Sequence, residues 1–370
     1  MDAMVRCGHI KLVRSENDVF EVSKGLSRLG WCLVRSLYHR GASRGPIGRL
    51  YSAIRSGSDY NRRGLMLRLI GRDIRRKHLT DSDPLVVAHP VLVGILKGRP
   101  DLIYQHGEVV TPREAVVVGA ETVLVPVENA AQPFRDAGYE HSRVFVSGLC
   151  VELPLVKQAS DAFQMRIKRI ESLDSLTGVF FSSGAEPVIH VEKLVAAAVS
   201  VAVSHGKVLL FARQNGRFER AVRSGFHRNN IPLSAIDTGD QIPHDLPAVT
   251  LIIYLSRREE DSLTARLFNQ FDYLVAPPHE RTNWALGLGL PLFAVIPTIG
   301  PFAPLNLKVL HEHGVAETLE FPDDAHNLGE RLEQLRRDGR LAAMAEAGWG
   351  RCSIDGFARI AEFLSVRYAD

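Results

Sequence analysis

Residues 178–216 read GVFFSSGAEPVIHVEKLVAAAVSVAVSHGKVLLFARQNG and contain the strongest indication of the fold class. Two apolar runs, Gly178–Ser182 and Lys207–Ala212, have the length and composition of buried strands. Between them, Val191–Ser204 is long and apolar enough for a helix that packs on a sheet. A strand, a helix and a second strand in this order form a parallel βαβ unit. The stretch therefore predicts a doubly wound α/β sheet.

The same alternation of strands and helices continues on both sides of this unit. Candidate strands before it are Leu85–Ala88, Leu102–Gln105, Thr122–Pro126 and Arg143–Ser147, and those after it are Pro232–Ile236, Val249–Leu255, Asp272–Ala276 and Leu292–Ile296. The other predicted helices are Pro90–Leu96, Pro112–Val118, Asn129–Ala137, Gly216–Ser224, Glu260–Asn269, Glu280–Leu288, Ala325–Arg337, Leu341–Ala347 and Ile354–Ser365. We therefore expect two Rossmann-like α/β domains, residues 1–156 and 176–350, joined by a connecting helix within residues 157–175.

The charge of the chain is unevenly distributed. Its 370 residues have a formal net charge of +3, with 45% hydrophobic and 24% charged residues, which argues against a disordered or fibrous protein. Between Arg35 and Lys77, twelve Lys and Arg residues face only Asp59 and Asp73, so this segment alone carries +10. Tyrosines and leucines are interleaved with these cations, and no nucleic-acid-binding motif is present. We expect this basic insert, residues 31–80, to contact an anionic membrane surface; a solvated basic face is the alternative.

Several classes of protein are disfavoured by missing motifs. The four cysteines are far apart and form no CxxC pair, which argues against a zinc ribbon and fits a reducing compartment. The first residues lack the apolar segment of a signal peptide. Residues Trp284–Asn306 carry no charge, but their prolines and glycines are atypical of a membrane span, so we interpret them as a helix end, a buried strand and a loop. HExxH, GxSxG and P-loop patterns are also missing.

Three loops after strands of the second domain carry candidate ligand-binding residues. In open α/β sheets, ligands bind beyond the carboxyl ends of the strands, where small residues let backbone amides approach a phosphate. The candidates after the first two strands are Ser182, Ser183, Gly184, Arg213 and Asn215, and those after Asp272–Ala276 are Glu280, Arg281, Thr282 and Asn283. We expect Arg281 to be partly exposed and to bind a phosphate, and Glu280 to accept hydrogen bonds from hydroxyl groups. Ordinary turns and a capped helix are the alternatives.

Two histidines and a glutamate are candidates for acid–base chemistry. His9 lies in an early glycine turn after Gly8, and His106 and Glu108 directly follow a predicted strand. A histidine of near-neutral pKa is the expected base for removing the proton of an acceptor hydroxyl. A structural histidine is the alternative in each case.

Short motifs occur in a recognisable order along most of the chain. Those of the first half are Gly8-His9, the basic insert, Val87-Ala88-His89-Pro90, Val125-Pro126 and Val146-Ser147-Gly148. Those of the second half are Ser182-Ser183-Gly184, Asn215, Gly289-Leu290-Pro291 and Asn306. This order resembles the GT-B glycosyltransferases of family 28, the branch of the monogalactosyldiacylglycerol synthases and of the N-acetylglucosaminyltransferase that makes the cell-wall lipid precursor.

The resemblance implies a GT-B architecture with a cleft between its two domains. The nucleotide-sugar donor would bind the second domain, with Asn306 among the donor-binding residues, and the acceptor would bind the first. Residues 351–370 would return to the first domain as a helix. The chain departs from the family's donor helix, because Trp284 occupies the position of its Glu and Arg281 that of its Thr. Phe302-Ala303 replace the family's Gln pair.

The leading hypothesis is a hexosyltransferase-type glycosyltransferase. It would transfer a sugar from a UDP- or GDP-sugar to a lipid or lipid-linked acceptor, as a peripheral protein at the cytoplasmic face of the inner membrane. His9 or His106 would accept the proton, and neither a metal nor an organic cofactor is expected. One alternative is a non-catalytic GT-B-like protein that binds a nucleotide or lipid, which the departures favour. The other is a sugar-nucleotide epimerase of the same fold, for which Glu108 and Glu280 are the candidate carboxyl groups.

Overall fold

The computed structural model describes residues 18–41, 59–62, 64–81, 83–172, 174–237, 239–243, 245–279 and 281–368. The predictions on His9, on Glu280 and on residues 42–58 of the basic insert lie outside these ranges. The chain divides into two compact units. The first unit comprises Met1–Leu153, Gly300–Phe302 and Ser353–Asp370, and the second comprises Pro154–Ile299 and Ala303–Cys352.

The first unit contains a parallel sheet in which the described strands follow the order β1-β2-β3-β4. Its elements along the chain are α1 (Val19–Val22), α2 (Gly25–Gly41), α3 (Leu65–Ile70), α4 (Arg72–His78), β1 (Leu85–Val87), α5 (Pro90–Leu96), β2 (Leu102–Gln105), β3 (Thr122–Val125), α6 (Glu128–Asp136) and β4 (Val144–Val146). Strands pair with their neighbours in sequence, so every crossover runs in the same direction along the sheet.

The second unit contains a larger parallel sheet, whose described strands follow the order β11-β10-β9-β5-β6-β8-β7. Its elements are α7 (Leu153–Glu171), β5 (Thr177–Phe181), α8 (Val188–Val203), β6 (Lys207–Arg213), α9 (Arg217–Arg228), β7 (Ser234–Ile236), β8 (Val249–Tyr254), α10 (Arg257–Leu267), β9 (Tyr273–Ala276), α11 (Thr282–Leu288), β10 (Leu292–Val295), α12 (Phe302–Glu312), β11 (Ala316–Leu319), α13 (Pro322–His326), α14 (Leu328–Arg337) and α15 (Arg340–Gly348). The prediction of an α/β protein with two Rossmann-like domains is confirmed.

The core of the second unit follows from the apolar sequence of its strands and of α8. All five residues of β5 are buried, as expected for a parallel strand covered on both faces. Helix α8 packs on β5 and β6, and it contributes Val191, Leu194 and Ala198 to the core. These residues recur at three- and four-residue spacing, which places them on one face of the helix.

The last helix, α16 (Gly356–Arg367), lies within the first unit. Ile360, Ala361 and Leu364 are buried in one apolar cluster with Ile103 of β2 and Leu124 of β3. An ion pair between Arg367 and Glu121 adds a polar contact to this packing. The helix therefore covers apolar surface of the sheet that would otherwise face water.

Several predicted elements differ in the structure. Pro112–Val118 contains only a 3₁₀ turn, Arg113–Ala115, after which Val116 adopts an extended backbone. The helix predicted over Ala325–Arg337 is two helices, α13 and α14, interrupted at Asn327. Strand β11 was missed because it lies at the sheet edge and buries only its last residue, so it presents no apolar run.

Trp284–Asn306 forms most of α11, all of β10, a loop over residues 296–301 and the start of α12, so the helix end, the strand and the loop are present, and only the helix that begins at Phe302 was not predicted. Pro304 suggested a loop, but it lies in the first turn of α12, where a missing amide proton breaks no hydrogen bond. Within the described residues, no helix is both long enough and apolar enough to cross a bilayer.

Candidate functional site

The order of strands in the second unit creates one favourable place for a ligand. From β5 the chain moves to β6 on one side, and it later returns to β9 on the other side of β5. The loops that leave β5 and β9 therefore diverge at the carboxyl edge of the sheet. Such a switch point is where open α/β sheets bind their ligands. The two loops are residues 182–187 and residues 277–281.

The loop after β5 offers small residues and open space. Ser182 and Ser183 are half-buried, and Gly184 is exposed. A Cβ atom added at Gly184 would meet no atom within 4 Å, so the backbone there is open to a close approach. The Ser182 hydroxyl donates a hydrogen bond to the Ser183 carbonyl at 3.3 Å. This arrangement can bring backbone amides to a phosphate, as the sequence suggested.

Arg281 is buried, so the expectation of a partly exposed side chain was wrong. The residue is 9% exposed, and its guanidinium forms an ion pair with the Glu260 carboxylate. The guanidinium carbon lies 3.7 Å from the centre of the Phe181 ring and 5.3 Å from that of Trp284. Ion pairing and cation–π contact offset the cost of removing this charge from water. The contacts join the loop after β9 to β5 and α10.

Trp284 packs in the interior at the position where the family has a carboxylate. Its ring makes edge-to-face contacts with Phe181 and Phe268, at centroid distances of 5.7 Å and 6.0 Å. The side chain is 4% exposed. This position therefore contributes to packing and offers no acceptor to a ligand hydroxyl.

Thr282, Asn283 and Asn306 lie around the loop after β9. The Thr282 hydroxyl is buried and finds no hydrogen-bond partner among the described residues. Asn306, on α12, is fully buried and donates its Nδ2 hydrogen to the carbonyl of Pro278 at 3.2 Å. Asn283 is half-buried. Asn306 thus supports the loop from the protein interior, while Asn283 is more accessible to solvent.

Arg213 is the last residue of β6, the strand next to β5, and Asn215 lies in the turn that follows it. Both are exposed, and Asn215 adopts a left-handed backbone with φ 58°. Its amide N–H donates to the Glu219 carboxylate at 2.6 Å, which fixes the turn before α9. Asn215 belongs to the small group of residue types that tolerate this conformation.

Two buried cationic or titratable residues on α8 were not singled out from the sequence. Lys193 donates through Nζ to the carbonyls of Ile296 at 2.7 Å, Leu319 at 3.0 Å and Glu320. His190 Nε2 lies 2.7 Å from the carbonyl of Pro297, which requires the proton on Nε2. Burial lowers the pKa of His190 to about 4. The sequence could have indicated both residues, because His190 and Lys193 are polar residues within an otherwise apolar helix.

In the first unit, His106 is a buried residue at the end of β2. Its Nε2 lies 2.9 Å from the Val110 carbonyl and 3.1 Å from the Thr111 hydroxyl, and its Nδ1 lies 3.2 Å from the Tyr104 hydroxyl. Burial lowers the pKa of His106 to about 4. Both ring nitrogens are engaged within the protein in this conformation. Glu108, two residues later, is half-buried.

The structure thus divides the predicted site residues between the units. Those on the carboxyl side of the second sheet or supporting its loops are Ser182, Ser183, Gly184, Arg213, Asn215, Arg281, Thr282, Asn283 and Asn306. His106 and Glu108 belong to the first unit. In the part of the chain that the structure describes, no group of three or more His, Cys, Asp or Glu side chains could hold a metal ion.

Two grooves elsewhere in the second unit contain none of these residues. One, of about 530 Å³, lies at the amino-terminal edge of the sheet and includes Lys207 and Asp245 in its lining. The other, of about 600 Å³, is lined in part by Ser204 and Arg331. Neither lies at the carboxyl ends of the strands, so the switch point remains the better-supported site.

Comparison with known proteins identifies the fold. No protein-family model matches the chain, and no curated protein matches its sequence. A structure of UDP-GlcNAc 2-epimerase from Neisseria meningitidis bound to UDP-GlcNAc is similar over 83% of each chain, with 12% identity and a TM-score of 0.53. A proposed UDP-N-acetylglucosamine 2-epimerase from Listeria monocytogenes is similar over 82% of this chain and 80% of its own, with 14% identity and a TM-score of 0.51. At these identities the likeness establishes the fold alone.

Proposed function

We propose that the second unit binds a nucleoside diphosphate sugar at the carboxyl ends of β5 and β9. The observation that carries this proposal is the coincidence of the switch point with the open, small-residue loop Ser182–Gly184. Support comes from the similar Neisseria structure, which contains UDP-GlcNAc. Backbone amides of the loop would hydrogen-bond the diphosphate, and the exposed Arg213 and Asn215 are available to the nucleoside.

We further propose that the chain is a glycosyltransferase. An acceptor hydroxyl would attack the anomeric carbon of the sugar, the bond from that carbon to the diphosphate would break, and the nucleoside diphosphate would leave. Amides at the loop would stabilise the negative charge of the leaving group. A base must take the acceptor proton. His9, His106 and Glu108 remain the predicted candidates, and His106 would have to give up a contact at one ring nitrogen to act.

The role of Arg281 in this proposal is indirect. Its ion pair with Glu260 and its stacking on Phe181 hold the loop after β9 against β5. It would therefore shape the diphosphate pocket from within the protein. The contact to phosphate that was predicted for Arg281 would need the guanidinium to leave Glu260.

An exposed apolar face in the first unit favours a lipid or lipid-linked acceptor. Large side chains on α2 and α3 project into solvent, namely Leu26, Leu29, Leu33, Leu65, Met66 and Leu69. The two helices pack together, and Ser27 and Trp31 of α2 both donate hydrogen bonds to the Ile70 carbonyl. Exposed cations lie near these side chains in the sequence, namely Arg28 on α2, Arg68 on α3 and Arg72 at the start of α4. Apolar side chains among cations are typical of surfaces that bind anionic membranes, and we propose a peripheral association of this kind.

Binding of UDP, GDP and UDP-GlcNAc, measured by calorimetry, tests the donor site. Gly184→Val should weaken UDP binding about tenfold or more, since it places methyl groups where the phosphate must approach. The position has an ordinary backbone and open space, so the fold should tolerate the change. Gly107→Val is the matched control, because Gly107 has the same open surroundings but lies in the first unit. Failure of the wild-type chain to bind any of the three nucleotides would overturn the proposal.

A UDP-sugar epimerase is the second candidate, because the two similar structures described above are an epimerase and a proposed epimerase. Incubation with UDP-GlcNAc in the absence of any acceptor separates the two functions. An epimerase would produce the 2-epimer, detected by NMR. A transferase would leave the donor unchanged until a lipid acceptor is added. If UDP-GlcNAc binds but is neither epimerised nor transferred to an acceptor, the result would favour the non-catalytic alternative.

A further inference from the structure

Glu186 joins the β5–α8 loop to the first turn of α9. Its carboxylate accepts hydrogen bonds from the backbone N–H of Arg217 and, at 3.1 Å, from that of Phe218. Its own carbonyl accepts a hydrogen bond from Arg217 Nη1 at 2.6 Å. Glu186 adopts a left-handed backbone with φ 44°, which is uncommon for a residue other than glycine. Such a conformation persists only where surrounding contacts hold it.

The contact is also closely packed. Gly216 is the N-cap of α9 and supplies no side-chain cap, so the amides of the first turn depend on a partner from elsewhere. A Cβ atom on Gly216 would lie 2.7 Å from Glu186 Oε1 and 2.8 Å from the carbonyl oxygen of Arg213, so a larger residue would have to displace backbone atoms. The helix dipole favours a carboxylate at this end. Glu186 therefore caps α9 from a different loop.

We propose that Glu186 is a positioning residue that fixes the β5–α8 loop and directs a diphosphate to Ser182–Gly184 rather than to α9. This inference rests on the proposed nucleotide site. Because the Glu186 carboxylate already occupies the first amides of α9, a phosphate approaching them meets a negative charge. Ser182–Gly184 contains no acidic side chain. Glu186 would thus keep the phosphate away from α9 and stabilise the conformation of the β5–α8 loop that binds it.

Calorimetry with UDP and uridine on Glu186→Ala tests the effect on binding. UDP affinity should fall about tenfold, in line with the loss of an ordered charge-binding loop, while uridine affinity stays unchanged. Asp324→Ala is the matched control, since its carboxylate accepts hydrogen bonds from the backbone N–H groups of Glu320 and Phe321 before α13, beyond the edge strand β11 and outside the proposed nucleotide site. Equal losses for UDP and uridine would indicate a merely structural role and overturn the proposal. Unchanged UDP binding would overturn it as well.

Amide hydrogen exchange without any nucleotide provides a second measurement. Exchange at residues 183–186 should be faster in Glu186→Ala than in wild type and in Asp324→Ala. Unchanged exchange would overturn the claim that Glu186 fixes the loop, whatever the binding results. If the wild-type chain binds no UDP, the proposed function is wrong, and so is the proposal that Glu186 directs a diphosphate to Ser182–Gly184. Faster exchange in that case would still establish the loop contact.

Discussion

At the scale of single residues, the ion pair of Arg281 and Glu260 should matter for stability. The side chains are 10% and 7% exposed, and the residues are 21 positions apart in the chain. Arg281→Ala leaves the Glu260 carboxylate buried beside the half-exposed Arg257, whose guanidinium lies 3.6 Å away. We expect the free energy of unfolding to fall by about 3 kcal/mol, measured by urea denaturation.

The matched experiment replaces both partners of the pair. Arg281→Met with Glu260→Met should recover most of the lost stability, because no unpaired charge then stays buried. A loss below about 1 kcal/mol in Arg281→Ala would contradict the prediction and indicate that the pair behaves like an exposed one.

His106 should make the stability of the protein depend on pH. Burial lowers the pKa of His106 to about 4, whereas the unfolded chain has an ordinary value of about 6.5. Between these values the unfolded state binds more protons, so stability rises with pH and is lost as the pH falls from about 6.5 towards 4. We expect this residue to account for a loss of about 2 kcal/mol between pH 7 and pH 4.5.

Urea denaturation at a series of pH values measures this contribution. His106→Phe should remove it and make the profile less steep, and the remaining slope should include a contribution from His190, whose pKa burial also lowers to about 4. An unchanged slope in His106→Phe would mean that the pKa of His106 does not differ between the folded and unfolded states, which would contradict the prediction.

At the scale of elements, the exposed face of α2 and α3 should control membrane binding. Leu29→Glu combined with Leu65→Glu places two negative charges on an apolar face whose Leu65 is 84% exposed. We expect binding to vesicles with anionic lipid to weaken about tenfold or more, since each charge near the surface is worth about 1 kcal/mol and apolar insertion is lost as well. Vesicle cosedimentation at low and high salt provides the measurement.

The control for this face is Leu255→Glu. Leu255 is 54% exposed but lies in the second unit, so its replacement should leave vesicle binding unchanged. Equal binding of the wild-type chain to neutral and anionic vesicles would rule out the proposed electrostatic contribution.

At the scale of the whole molecule, α16 ties the end of the chain to the first unit. Ile360 is fully buried beside Ile103 and Leu124. Ile360→Ala should destabilise the first unit by about 2–5 kcal/mol through lost apolar contact and a cavity, and Ile360→Val by about 1 kcal/mol. Amide exchange resolves the two units, so exchange in β2 and β3 should accelerate while that in β5 and β6 stays unchanged. Equal acceleration in both units would show that they unfold together.

The sequence by itself determined the fold class and most strand positions. Leu102–Gln105 and Pro90–Leu96 lie at the predicted residues, and β5 and β6 are within one residue of theirs. Apolar run length and helical spacing are properties of neighbouring residues, so they can be interpreted without knowing the fold. The sequence also indicated that Ser182–Gly184 lies in a loop after a buried strand, because small residues after an apolar run form a local pattern.

Only the tertiary structure decided which polar side chains face solvent and which lie inside. Arg281 was expected to be partly exposed, but it is buried by Glu260 and the Phe181 ring, which come from other elements. Glu186 was not singled out, because the amides that it caps lie 31 and 32 residues further along the chain. The free energy of burying a charged side chain depends on the partners that folding brings next to it. These partners are far away in the sequence, so a local sequence pattern does not indicate them.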